Sequence, residues 1–164
     1  MYYINNGLDN SVYAYMGWDK ITNTGTKQYR LRENYRKTRK NLYDSNGLAD
    51  IFGRKVIACT NKFGNVGEEI EITFQNPVPY WHQKGTLFAI IGDIKNQNKG
   101  ACNEWGHLYG NQCCVIEFIV NPSMINNIKE RFPLLKNNPV VIIQKSGVNF
   151  FNKIDEYLME NHLI

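Results

Sequence analysis

The chain has 164 residues, of which 43% are hydrophobic and 21% charged, and a formal net charge of +4. This balance excludes disordered and fibrous chains, and the length suits about one domain with its own core. No apolar run approaches the roughly 20 residues a membrane-spanning helix needs, so an integral helical membrane protein is excluded too.

The first residues, Met1 to Ser11, carry neither the basic start nor the apolar stretch of a secretory signal, so the expected compartment is the cytoplasm. Cysteine usage points the same way. Cys59, Cys102, Cys113 and Cys114 include no C-x-x-C pair, and two are adjacent, which makes a poor disulfide framework. Residues 1–26 are turn-rich, with Asn5-Asn6-Gly7 and Thr24-Gly25.

The net charge is concentrated just beyond. Between Lys27 and Lys40 stand Lys27, Arg30, Arg32, Arg36, Lys37, Arg39 and Lys40 against the single acid Glu33. That stretch carries +6, so the rest of the chain sums to −2. Leu31, Tyr35, Thr38 and Leu42 fall on one face of a 3.6-residue period, which predicts a basic helix over 27–43 with cations on its other faces. Arginine grips phosphate through two parallel hydrogen bonds, and a concentrated basic face is the usual footprint of nucleic acid, DNA or RNA. A solvated helix that keeps the protein soluble has the same composition.

The period then changes to two. Strands are expected over Lys55–Thr60, Glu69–Phe74, Leu87–Ile91, Cys113–Val120 and Val140–Gln144. Ile70, Ile72 and Phe74 alternate with Glu69, Glu71 and Thr73, as in a strand with one wet face. Leu87–Ile91 is continuously apolar, as in a buried central strand. Asn121-Pro122-Ser123 opens a helix to about Phe132, and a last helix spans Val148–Leu163. The expected fold is a single α+β domain over 1–164, with 54–164 forming sheet and helices. Its sheet is mixed or mostly antiparallel with 4–5 strands.

Four groupings could carry chemistry. Glu69 and Glu71 project from the same strand face and could hold Mg²⁺ between them and a phosphate. Asp93 and Lys95 end the most apolar strand, where an acid and a cation could bind a metal and position a water. Cys102, His107, Cys113 and Cys114 have residue types that suit zinc, but a spacing that matches no common finger, so buried inert thiols are the preferred reading. His82 and His107, with Lys84, Glu104 and Tyr109 nearby, could cleave RNA as an acid–base pair without metal.

The stretch Asn61 to Thr73 resembles the active-site hairpin of small type II restriction endonucleases: an acid, a glycine-bearing turn, then a strand ending acid-x-lysine. The downstream order is similar as far as Phe151, including Val115–Val120 running into Asn121-Pro122 and the turn Asn137-Asn138-Pro139. Glu71 matches the second acid. Asn61 stands where the first acid belongs, and Thr73 where the lysine belongs. The resemblance implies metal-dependent cleavage of phosphodiester bonds. Here Glu69 and Glu71 would act as an acid-x-acid variant, Asp50 or Asp93 as a further ligand, and Lys95 as the cation.

The leading expectation is therefore a nucleic-acid-binding, Mg²⁺-dependent nuclease, with Glu69, Glu71, Asp93, Lys95 and His107 as catalytic candidates. It admits a homodimer and a companion protein inhibitor, and needs no membrane. Three alternatives stay open. One is a metal-independent toxin-type ribonuclease. Another is a non-catalytic nucleic-acid or protein binder. The last is an ADP-ribosylating effector, to whose fold Cys59-Thr60-Asn61 and Glu69-x-Glu71 bear a loose similarity.

Overall fold

The computed structural model describes residues 1–4, 13–14, 17–77, 86–95, 105–106, 114–132 and 138–164, with 13–14 described in backbone only. Its strands are β1 (Tyr2–Tyr3), β2 (Tyr13–Ala14), β3 (Asp50–Ile51), β4 (Arg54–Cys59), β5 (Glu68–Phe74), β6 (Thr86–Ile94), β7 (Glu117–Ile119) and β8 (Val140–Asn149). The helices are α1 (Lys27–Arg36), α2 (Ile125–Arg131) and α3 (Phe150–Glu160). All eight strands join one sheet in the order β1-β8-β5-β6-β4-β7-β2, with β3 paired to β4. The fold is α+β as expected, and most pairings are antiparallel; β4–β6 and β2–β7 are the parallel ones.

The sheet exceeds the expected 4–5 strands because β1, β2 and β3 have two residues each, too few to show a period. β1 and β2 also turn the "turn-rich" first 26 residues into the two ends of the strand order. Other boundaries moved as well. Of the strand expected over Cys113–Val120, the described residues, from Cys114 on, are regular only from Glu117 to Ile119. The strand expected over Val140–Gln144 runs on to Asn149, and α3 starts only at Phe150.

The apolar run of β6 is explained by its place. It is the fourth of the seven strands in order and is buried on both faces. Leu87, Ala89 and Ile91 enter one core cluster, with Ile57, Ile70, Ile72, Phe118 and Ile143. Ile90 enters a second, with Val56, Leu31, Tyr35, Ile154 and Leu158. The second cluster lies between the sheet and the pair α1, α3. The first is covered by residues off the sheet, Phe63, Trp105, Ile128 of α2 and Phe132 just after it, with the Tyr2 ring 5.5 Å from that of Phe63.

β3 and β4 form a hairpin whose two turn residues, Phe52 and Gly53, have φ of 50° and 85°. Both being positive is the signature of the tight turn that matches strand twist. Asp50 holds it by accepting from Gly53 N at 2.8 Å, and Phe52 N donates to the Tyr35 hydroxyl at 3.2 Å.

A bulge interrupts the β4–β6 pairing: Ile57 faces Ile91, but Ala58 faces Asp93, leaving Gly92 as the extra residue. A Cβ on Gly92 would lie 2.2 Å from Val56 Cγ1. Both backbones are fixed in the sheet centre, so Gly92→Ala is expected to cost about 2–3 kcal/mol through overpacking. Urea denaturation would check this; a variant as stable as the parent would mean that the centre is loosely packed.

Candidate functional site

α1 begins where Thr26 caps it, its hydroxyl accepting from Tyr29 N at 3.2 Å. It ends at Arg36, seven residues before the expected limit of 43. The Thr38 hydroxyl donates to the Tyr35 carbonyl at 2.6 Å, and Arg39 takes a positive φ of 65°. A hydroxyl competing for the helix's carbonyls, followed by a left-handed residue, is a helix stop. Leu31 and Tyr35 are buried as their spacing predicts.

Six of the seven cations are exposed: Lys27, Arg30, Arg36, Lys37, Arg39 and Lys40. Arg32 is the correction. It is 4% exposed; its Nη1 donates to the carbonyls of Trp18 and Ile21 at 3.0 and 2.6 Å, and its Nη2 to Glu33 at 2.8 Å. It fastens the preceding segment to α1 and is not offered to a phosphate. Glu33 also accepts from Arg36 Nε at 2.9 Å. Desolvation pushes the Glu33 carboxyl up, but Arg32 and Arg36 together hold it below its ordinary value. The run's single acid is thus already spoken for. Arg30 and Lys40 lie over the rings of Phe151 and Tyr157, at 5.7 and 5.4 Å, so the cations border the seam between α1 and α3.

Glu69 and Glu71 do share a face, but it is not an open one. Glu69 is 4% exposed and forms an ion pair with Arg54 at 3.2 Å. The Arg54 guanidinium lies 4.9 Å above the Phe88 ring, so it reaches Glu69 across β6. Glu71 accepts from Gln144 of β8 at 2.5 Å. Asp50 is occupied elsewhere, 3.1 Å from Lys55, which also binds Asp44 at 2.5 Å. Among the described residues, no three His, Cys, Asp or Glu side chains gather into a metal site. Mg²⁺ wants several open oxygen ligands and keeps its waters. One carboxylate buried against an arginine and one bonded to an amide do not fit it.

Asp93 and Lys95 do meet other polar groups, at the end of β6 that the Gly92 bulge re-aims. Asp93 Oδ1 accepts from Ile94 N at 2.8 Å and from Gln28 Nε2, in the first turn of α1, at 3.2 Å. Lys95 Nζ donates to the Cys114 carbonyl, and lies 3.2 Å from Cys114 Sγ and 3.7 Å from Glu117 Oε1. The Cys114 thiol donates to Glu117 at 3.2 Å. Gln28 and Glu117 are functional candidates that the sequence reading missed. Glu117 could have been flagged as the one acid inside the apolar run Val115–Val120.

Burial pushes the Asp93 carboxyl above its ordinary value. The Ile94 amide and Gln28 oppose this, and the Glu117 charge adds to it. The native state therefore holds the Asp93 proton to higher pH than the unfolded chain does. Stability from this group is full below the ordinary value of 3.8 and is lost as pH rises through the native one. Asp93→Asn keeps an acceptor oxygen and removes the charge, so the variant is expected to melt above the parent at pH 7. The gap should narrow as pH falls toward 3.8. A gap independent of pH would dispose of this account.

Burial also lifts the thiols of Cys59 and Cys114, each to about 12, so neither is a nucleophile at neutral pH. Cys59 and Thr60 are fully buried, so within Cys59-Thr60-Asn61 only Asn61 is exposed. His82, His107, Lys84, Glu104, Tyr109, Cys102 and Cys113 lie outside the described residues, and with them the histidine pair and the zinc-type grouping. Among the described residues no helix is long and apolar enough to cross a membrane. Comparison of the chain with protein-family models, curated proteins and solved structures returns no significant match.

Proposed function

We propose that this chain is a nucleic-acid-binding protein whose contact surface is the outward side of α1 and the turn that follows it. The observation that supports this reading is the disposition of charge. α1 buries Leu31, Arg32 and Tyr35, and leaves Lys27, Arg30, Lys37, Arg39 and Lys40 exposed after Glu33 has taken Arg32 and Arg36. Five cations with no acid among them suit a phosphate backbone, which binds by releasing counterions. A mobility shift of random-sequence RNA and duplex DNA should weaken steeply with salt, with a log–log slope of about −4 if all five engage phosphate. Absence of a shift at 50 mM salt, or binding indifferent to salt, would overturn the reading.

Cleavage of the bound strand is a second reading, favoured by the Gln28–Asp93 hydrogen bond of 3.2 Å. That bond sets a half-buried carboxyl, proton-holding by its surroundings, at the start of the basic helix. Asp93 is the acid–base group in this reading, because Glu69 and Glu71 are already engaged. Labelled RNA should then be cut by the parent and left intact by Asp93→Asn, which still binds it. Equal cutting by both proteins would reject Asp93.

A further inference from the structure

Asp93 does not stand alone at the start of the basic helix. The bulge at Gly92 brings it opposite Ala58 of β4, and Glu117 of β7 lies opposite the same Ala58 from the other side. Residues in register across a ladder share a face, so Asp93, Ala58 and Glu117 form a row across three strands. The outer two are two strand spacings apart, about 10 Å between Cα atoms. The middle residue carries only a methyl group, so no long side chain of β4 rises between the two carboxylates.

Each acid has one oxygen engaged. Asp93 Oδ1 accepts from Gln28 Nε2 and Ile94 N, at 3.2 and 2.8 Å. Glu117 Oε1 accepts from the Cys114 thiol at 3.2 Å and lies 3.7 Å from Lys95 Nζ. Among the described residues nothing donates to Asp93 Oδ2 or Glu117 Oε2. The buried side-chain atoms without a partner are Trp18 Nε1, Arg32 Nε and Glu69 Oε2, so the two remaining carboxylate oxygens of the row both reach solvent.

The two acids are also set in opposite surroundings. Burial and the Glu117 charge favour a proton on Asp93. Glu117 has an ammonium beside it, and Lys95 is held there by the Cys114 carbonyl. A proton donor and a proton acceptor on either side of one position are what transfer within a phosphodiester needs. Lys27, next to Gln28 in the first turn of α1, is exposed, so a strand lying on the helix cations brings its backbone to this row.

We infer that Glu117 is the base that works with Asp93, and that the strand this site cuts is RNA. The inference rests on the cleavage reading above and goes beyond it by naming the second catalytic residue and the attacking group. Glu117 Oε2 takes the proton of a ribose 2′-hydroxyl. The 2′-oxygen forms a bond to the adjacent phosphorus, and the bond from phosphorus to the 5′-oxygen breaks. Asp93 gives its proton to that 5′-oxygen. The products are a 2′,3′-cyclic phosphate and a 5′-hydroxyl end, and proton exchange with solvent resets both carboxyls. DNA lacks the attacking hydroxyl.

The test is a gel assay in EDTA with three short, end-labelled single strands of one sequence: RNA, 2′-O-methyl RNA and DNA. The parent should cut only the RNA and leave cyclic phosphate ends. Glu117→Gln should slow cutting by about a hundredfold or more, the worth of one positioned proton-transfer group, and still bind RNA as the parent does. Glu117→Asp keeps the charge that faces Lys95 and draws the carboxyl back by one methylene, so it should fold, as circular dichroism would check, and also cut slowly. If DNA or 2′-O-methyl RNA is cut as fast as RNA, the inference falls; that comparison needs no variant. It also falls if both Glu117 variants cut at the parent's rate while Asp93→Asn is inactive, which leaves Asp93 standing without Glu117. If the parent cuts no strand, the cleavage reading and this inference fall together.

Discussion

Arg32→Ala is expected to lower the stability of this protein by about 3 kcal/mol, the cost of removing one partner from a buried charged network. The guanidinium is 4% exposed and donates to two carbonyls, those of Trp18 and Ile21, as well as to Glu33. Truncation leaves the Ile21 carbonyl without this donor and the Trp18 carbonyl with only a 3.4 Å bond from Ile21 N. Such an orphan costs about 1–3 kcal/mol. Lysine should rescue little, because a single ammonium cannot reproduce the fork that spans both carbonyls. Lys37→Ala, a few residues on and exposed, should change stability by less than about 0.5 kcal/mol. Urea titration of the three variants would decide the matter. If Arg32→Ala and Lys37→Ala unfold at the same midpoint, Arg32 is not the fastening described.

The second large effect is on binding. Reversing Arg30, Lys37, Arg39 and Lys40 to glutamate together would remove four of the five cations proposed to meet phosphate and put a negative charge in place of each. Nucleic-acid affinity at 100 mM salt is expected to fall by about a thousandfold, and the salt slope to flatten by about three. Arg30 and Lys40 also lie over Phe151 and Tyr157, which is worth about 0.5–1 kcal/mol each at exposed sites. The variant should therefore be somewhat less stable, and its circular dichroism must match the parent's before the binding result counts. A folded variant that binds as tightly as the parent would move the nucleic-acid surface elsewhere or abolish it.

The central sheet was legible because burial leaves a mark on composition. β6 is apolar from Leu87 to Ile91 because α1 and α3 cover one of its faces, and Phe63, Trp105, Ile128 and Phe132 belong to the cluster on the other. Glu68–Phe74 alternates because only one of its faces meets the main cluster. Burial of Glu69 was not legible. Its partner Arg54 comes from a strand two places away in the sheet, and strand register is not written in either segment alone. Arg32 was hidden differently. It stands among six exposed cations of the same kind, and its one distinguishing trait is position: it adjoins Leu31 and is one turn from Tyr35, at the margin of the apolar stripe. The end of α1 was missed because Thr38 and Leu42 keep the helical period after the backbone has left it. Gly92, a lone glycine in an apolar run, did carry a sign of the bulge that aims Asp93.

The pairing of β1 with β8 also governs how the chain acquires its shape during synthesis. Tyr2 lies opposite Ile143, so β1 waits for a strand made long after it. β5 waits too, since β8 covers its other edge. By contrast, β3 and β4 close locally, and β6 can join β4 as soon as it emerges. A nascent chain halted before residue 140 would thus expose an unpaired β5 edge backed by Ile70, Ile72 and Phe74. Such edges invite strand addition from other chains, and long-range pairings of this kind slow folding. This protein's period of greatest risk is its translation, and it ends when β8 docks between β1 and β5.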